Sequence, residues 1–72
     1  MSKYGHLWMY IDLIFKRTNK EKIELSFNQI KDATGFDIDH SFLTYKKELL
    51  DYGYEVEKIK LKDKIIIFLK ID

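Results

Sequence analysis

Few side chains in this sequence could hold a metal ion or move a proton. His6 and His40 are the only histidines, and neither has a second histidine at the spacing of a helical metal-binding motif. Asp37 and Asp39 precede His40, and the three could together bind a divalent cation, although a turn that caps a helix uses the same acidic residues. We interpret the cluster as a capping turn, and we predict no metal and no other cofactor.

The sequence also offers few residues for nucleophilic catalysis or for phosphate binding. The chain has no cysteine, and the sequence places no histidine base beside Ser26 or Ser41. It contains no glycine-rich phosphate loop and no acid-x-Lys tripeptide of the kind that nucleases place around a metal. We therefore expect that the protein is not an enzyme.

Length and composition limit the class of protein further. The 72 residues are enough for one domain, 1–72, and 46% of them are hydrophobic, which is ample for a core. The formal net charge of +1 gives no overall attraction to nucleic acid or to a membrane surface. The longest apolar run, Ile65 to Leu69, has the length of a strand, and the N-terminus does not resemble a signal peptide. We expect a cytoplasmic protein that does not associate with a membrane.

Hydrophobic spacing and capping signals predict three helices. Apolar residues at spacings of three and four predict the first helix over residues 4–17. Ser26 and Gln29 form an S-x-x-Q capping box, which predicts a second helix from residue 27 to about residue 34, ending at Gly35. A third helix is predicted from about residue 40 to residue 52. Its apolar face would comprise Phe42, Leu43, Tyr45, Leu49, Leu50 and Tyr52.

Three strands complete the pattern, one at residues 23–26 and two in a C-terminal hairpin. We expect a three-residue turn at 62–64, which sets Leu61 opposite Ile65 and Ile59 opposite Ile67. The odd-numbered residues then face the core, and Ile66 and Phe68 face away from the helices. A loop of a different length would shift every pair and would return Ile66 to the core.

The element order helix-strand-helix-helix-strand-strand predicts an α+β, winged-helix-like fold with a small antiparallel sheet. A second line of reasoning uses a set of short motifs: Tyr4-x-x-Leu7, Phe27-x-x-Ile30, Gly35, His40-Ser41, Gly53-Tyr54-x-Val56 and Phe68. In these positions the chain resembles a small, uncharacterised bacterial domain family of winged-helix type. It departs from that family between Gly35 and His40, where family members have a longer stretch with proline and paired tryptophans. The resemblance implies a helix-and-hairpin fold and carries over no catalytic residue.

The third helix and the hairpin contain the residues that could contact nucleic acid. In a helix-turn-helix, the outward face of the second helix enters the major groove. Glu48 and Asp51 on that face would repel phosphates, whereas lysines of the hairpin would make salt-dependent phosphate contacts or would simply protect a sheet edge. The predicted contacts are His40, Ser41, Thr44, Lys47, Lys58, Lys60, Lys62 and Lys64.

The predicted outer face of the sheet offers a second kind of surface. On that face Ile66 and Phe68 would be exposed to water and surrounded by lysines. Such an apolar patch would bind a larger protein or a second copy of the chain in a homodimer. The predicted protein-interaction residues are Val56, Ile66, Phe68 and Lys70. Our leading interpretation is a small nucleic-acid-binding or regulatory module. The alternative is a protein-interaction module that docks on a larger protein, such as a phage or mobile-element inhibitor of a host defence or nucleic-acid machine.

Overall fold

The computed structural model describes residues 3–71, and these residues form an α+β fold. Helix α1 spans Gly5–Thr18, strand β1 spans Lys22–Ser26 and helix α2 spans Phe27–Thr34. Helix α3 spans His40–Tyr45 and continues as a 3₁₀ helix over Lys46–Tyr52, before strands β2 at Tyr54–Lys60 and β3 at Ile65–Lys70. The predicted order of elements is confirmed, and the topology is consistent with a winged-helix-like fold. Within this described range, no helix is both long enough and apolar enough to cross a bilayer.

Local sequence signals account for the ends of several elements. The Gln29 backbone N–H donates to the Ser26 hydroxyl at 3.0 Å, and the Ser26 N–H donates to Gln29 Oε1 at 2.8 Å. Both hydrogen bonds of the predicted capping box are therefore present. They end strand β1 at Ser26 and begin helix α2 at Phe27. Gly35 and Gly53 close α2 and the 3₁₀ helix with φ angles of 85° and 90°, in the left-handed region that glycine adopts without strain.

The three strands form one antiparallel sheet in the order β1-β3-β2, so β3 is the central strand. Phe68 lies opposite Ile23 of β1 and Val56 of β2, and Ile66 lies opposite Leu25 and Ile59. These residues form the inner face of the sheet, on which the helices pack. Ile66 and Phe68 have no exposed surface, and Val56 is half-buried against the same core.

The hairpin register that we expected is therefore wrong. Lys60 lies opposite Ile65, and four residues, 61–64, form the turn instead of three. The extra turn residue reverses the parity, because alternate side chains of a strand point to opposite faces. Ile66 and Phe68 belong to the core and do not form an outward interaction surface with Val56. Lys70, at the end of β3, is exposed.

The outer face of the sheet carries the other apolar side chains of β3. Ile67 lies opposite Glu24 and Lys58, on the face of the sheet away from the helices, and only 5% of its surface is exposed. Lys22 of β1 and Glu57 of β2 form an ion pair at 3.4 Å that connects the two edge strands across β3. Long charged side chains of this kind can cover apolar surface with their methylene stems.

Helix α1 closes the inner face of the sheet. Leu7, Trp8, Ile11 and Phe15 are buried along one side of the helix, as the spacing predicted. The Phe15 ring stacks on the Tyr54 ring with centroids 4.4 Å apart, and the Tyr54 hydroxyl donates to Asp12 Oδ1 at 2.6 Å. Because α1 supplies so many buried side chains, its packing connects the N-terminal part of the chain to the C-terminal hairpin that contains Tyr54.

We predict that Phe68→Lys unfolds the protein. Replacing this buried ring with a charged side chain removes apolar packing worth about 3–5 kcal/mol and places an ammonium group in the core without a partner. That loss is comparable with the whole stability of a small domain. Circular dichroism and thermal melts should show loss of the cooperative transition.

The matched control is Ile71→Lys, which makes the same change of charge where 48% of the side-chain surface is exposed. This variant should melt close to the wild type. A folded Phe68→Lys protein with a near-normal melting temperature would contradict the register of the hairpin.

Candidate functional site

A hydrogen-bonded network fixes the start of α3 and reaches back to the start of α1. Asp39 caps α3, since its Oδ1 accepts from the Ser41 backbone N–H at 2.9 Å and also from the Ser41 hydroxyl. The Tyr4 hydroxyl lies 3.1 Å from the same oxygen and 2.9 Å from Ser41 Oγ, and Lys3 donates to Asp39 Oδ2 at 3.0 Å. Ser41, a predicted nucleic-acid contact, is half-buried and engaged in positioning the helix.

These bonds change the ionisation of the groups that make them. The hydrogen bond from the Ser41 hydroxyl, followed by the bond from Lys3, holds the pKa of Asp39 well below its ordinary value. The hydrogen bond to Asp39 in turn raises the pKa of Lys3, and burial raises the pKa of the Tyr4 hydroxyl. At neutral pH the network therefore consists of a carboxylate, an ammonium group and a neutral phenol.

A second contact joins α1 to the 3₁₀ helix. Trp8 Nε1 donates to Glu48 Oε1 at 2.9 Å, and only 1% of the Trp8 surface is exposed. Glu48, which we expected on the outward face of the third helix, is half-buried and turned towards α1. Its carboxylate satisfies the indole N–H and holds the 3₁₀ helix in place.

The change from α to 3₁₀ geometry alters what the third helix exposes. A 3₁₀ helix turns about 20° further per residue than an α-helix, so the predicted apolar face does not continue beyond Tyr45. Leu49 is fully buried, but Leu50 is 48% exposed and Leu43, before the change, is 53% exposed. The predicted apolar face is therefore wrong at four of its six positions, since Tyr45 and Tyr52 are also exposed, at 40% and 37%. Among the predicted nucleic-acid contacts of this segment, His40, Thr44 and Lys47 are exposed.

The four hairpin lysines do not form a single stripe. Lys58 and Lys60 lie in β2 opposite Ile67 and Ile65, on the outer face of the sheet. Lys62 and Lys64 lie in the turn, so the expectation that Lys62 shares one side of the strand with Lys58 and Lys60 is wrong. Because α3 packs on the inner face, Lys58 and Lys60 point away from it. The residues predicted as one nucleic-acid surface therefore lie on different sides of the protein.

An apolar cleft of about 550 Å³ opens between α3 and the hairpin. Leu43 lies on its α3 side and Leu61 on its turn side, and the Leu61 side chain is 75% exposed although we expected it in the core. The polar residues at the cleft are Asp39, which is held in the capping network, and His40. The remaining lining residues are Phe27, Ile38, Phe42 and Ile59.

The Asp37–His40 turn is a capping turn, as we interpreted it. The carboxylate of Asp39 caps α3, and Asp37 Oδ1 lies 3.5 Å from Lys31 Nζ of α2. Over residues 3–71, no group of three or more His, Asp or Glu side chains is arranged to hold a metal ion.

We predict that Asp39→Asn makes the stability of the protein less dependent on pH in acid. A carboxylate whose pKa is lowered by folding stabilises the folded state above its unfolded pKa of about 3.9, and this contribution is lost as the pH falls below that value. Wild type should therefore lose more of its melting temperature than Asp39→Asn between about pH 6 and pH 3. Asp12, whose pKa the Tyr54 hydroxyl lowers, should leave a residual dependence in the variant.

Asp37→Asn removes one negative charge from the same turn and serves as the control. It should retain more of the wild-type slope than Asp39→Asn. Equal slopes for Asp39→Asn and wild type would contradict the role of the capping network.

Comparison of the chain with protein-family profiles, with curated proteins and with solved structures finds no match.

Proposed function

We propose that the protein is a non-enzymatic protein-interaction module and that the cleft between α3 and the hairpin receives an apolar segment of a larger protein. The observation that carries this proposal is the exposure of Leu43 and Leu61 on opposite sides of a concave apolar surface. Exposed apolar surface that is contiguous and concave is typical of docking sites. A partner side chain seated between the two leucines would contact the half-buried Ile59 at the same time.

Charge around the cleft favours an acidic partner segment. Lys62 follows Leu61 in the turn and forms no ion pair within residues 3–71, whereas the Asp39 carboxylate at the cleft is already bonded to Lys3 and Ser41. An acidic residue beside an apolar anchor would meet Lys62 at the rim of the contact, where charges mainly set specificity and association rate. We therefore infer a partner segment that carries one or two large apolar residues flanked by Asp or Glu.

Binding without catalysis is the way in which a small protein inhibitor acts. A protein that binds an apolar segment of a larger protein in this cleft would block the other contacts of that segment. A phage or mobile-element inhibitor of a host defence or nucleic-acid machine would act in this way.

A peptide-display selection tests the cleft directly. Random 12-residue peptides selected on the immobilised protein should converge on apolar anchors with acidic flanks. Leu61→Ser should weaken binding of the selected peptides by about tenfold or more, because burying a leucine is worth roughly 1.5–3 kcal/mol. The measurement is the peptide affinity by fluorescence anisotropy.

Leu13→Ser is the matched control, since Leu13 is 46% exposed on α1 and does not line the cleft. It should leave peptide affinity unchanged. Selected peptides that bind Leu61→Ser as well as wild type would show that the cleft is not the docking site.

Nucleic-acid binding is the second candidate function, favoured by the hairpin lysines. Within the described residues, none of Lys58, Lys60, Lys62 and Lys64 has an ionic partner, so all four are available to phosphates. Of the exposed residues of the third helix, Thr44 and Lys47 could bind phosphates only separately, since they lie on a different side of the protein from Lys58 and Lys60.

A salt titration of duplex affinity separates the two candidates. If the hairpin binds duplex, replacing its four lysines with Gln should flatten the dependence of log affinity on log salt by up to about four phosphate contacts. Leu61→Ser should then have little effect on duplex affinity. Absence of duplex binding by the wild type at low salt would eliminate this second candidate and leave the cleft proposal intact.

A further inference from the structure

Strand β1 is an edge strand, and two backbone hydrogen bonds define which side of it is open. The Lys70 N–H donates to the Glu21 carbonyl at 2.8 Å, and the Phe27 N–H donates to the Lys64 carbonyl at 2.9 Å. Both bonds fit the register of β1 against β3. In an antiparallel ladder, hydrogen-bonded residues recur at every second position of a strand.

The residues between these two bonds follow from the same alternation. Ile23 and Leu25 direct their backbone groups towards β3, so the N–H and C=O groups of Lys22 and Glu24 point away from the sheet. The Ser26 N–H agrees with this pattern, because it bonds to Gln29 and not to β3. The open side of β1 therefore carries the backbone groups of Lys22 and Glu24.

No element of residues 3–71 pairs with this edge. A groove of about 560 Å³ runs between α1 and β1, with Tyr10 and Ile14 on its α1 side. The opposite edge of the sheet is protected differently, since β2 has a register shift between Val56 and Lys58. A bulge is a common device against strand pairing, whereas β1 pairs with β3 without any shift in register.

We propose that β1 pairs with β1 of a second copy of the chain, antiparallel and with the two-fold axis at Ile23. In this register Lys22 lies opposite Glu24 of the second copy, and Glu24 lies opposite its Lys22. Both are hydrogen-bonded positions, so the open backbone groups of each copy satisfy those of the other. The two sheets join into one continuous sheet through an isologous contact.

Side-chain charge selects this register over its neighbours. A shift of the axis to residue 22 would place Lys22 opposite Lys22 of the second copy, and a shift to residue 24 would oppose the two Glu24 carboxylates. Like charges directly opposite destabilise a strand pair, whereas opposite charges stabilise it. Within the described residues Glu24 has no ion pair in a single copy, so pairing supplies the partner that it lacks.

The inner face of the pairing is apolar. Ile23 would meet Ile23 of the second copy at the axis, in a pair of β-branched side chains that strands favour. Ile14 and Tyr10 are half-buried beside the groove. Two α1 helices on the same side of the joined sheet would cover these two side chains.

Sedimentation equilibrium tests the pairing, together with a charge reversal and its rescue. Wild type should dimerise with rising concentration, and Glu24→Lys should raise the dimer dissociation constant by about tenfold or more, because both symmetry-related pairs become repulsive. The double variant Lys22→Glu/Glu24→Lys restores opposite charges and should regain the dimer. Asp63→Lys makes the same change of net charge in the hairpin turn and should dimerise like the wild type.

The double variant changes Lys22, which also forms the ion pair with Glu57. Glu24→Pro tests the pairing of the strands without changing Lys22. Proline removes an N–H that does not bond to β3, so the single copy should stay folded by circular dichroism while the dimer is lost. Amide exchange at Lys22 and Glu24 should also slow as the wild-type concentration rises. Wild type that stays monomeric to about 1 mM, or Glu24→Lys that dimerises equally well, would overturn the proposal.

Discussion

The packing of Ile66 and Phe68 beneath α1 sets the direction of the other side chains in the sheet. Both residues are fully buried in the central strand, so their cross-strand neighbours Ile23, Leu25 and Ile59 must share the inner face. Once this face is fixed, Lys58 and Lys60 lie on the outer face and the turn must contain an even number of residues, which is four here. The exposure of Leu61 follows, and with it the cleft beside α3.

Elements with local signals could be predicted from the sequence. The capping box at Ser26, the glycine after α2 and the apolar spacing of α1 each depend on residues within one or two turns, and all three are present. The predicted order of helices and strands, and hence the α+β class, depended on the same local signals. The 3₁₀ continuation of α3 has no comparable signature, because its geometry depends on contacts such as that between Trp8 and Glu48.

The hairpin register and the cleft could not be predicted in this way. The run from Ile65 to Leu69 is apolar at every position, so alternation within β3 cannot distinguish its two faces. Only the number of turn residues decides which side chains of β3 face the core, and one additional residue exchanges the two faces. The apolar arc of the third helix predicts Leu43 in the core, and the expected register predicts Leu61 there, but both side chains are exposed.

The long-range contacts of α1 have a consequence for the order of folding. Its polar contacts from Tyr4, Trp8 and Asp12 reach residues that lie 35, 40 and 42 positions further along the chain. Such contacts close large loops, which slows folding relative to a protein with local contacts. During synthesis α1 emerges before the hairpin and cannot complete its packing until β2 and β3 have left the ribosome. In that interval its apolar side is open to chaperones and to neighbouring chains.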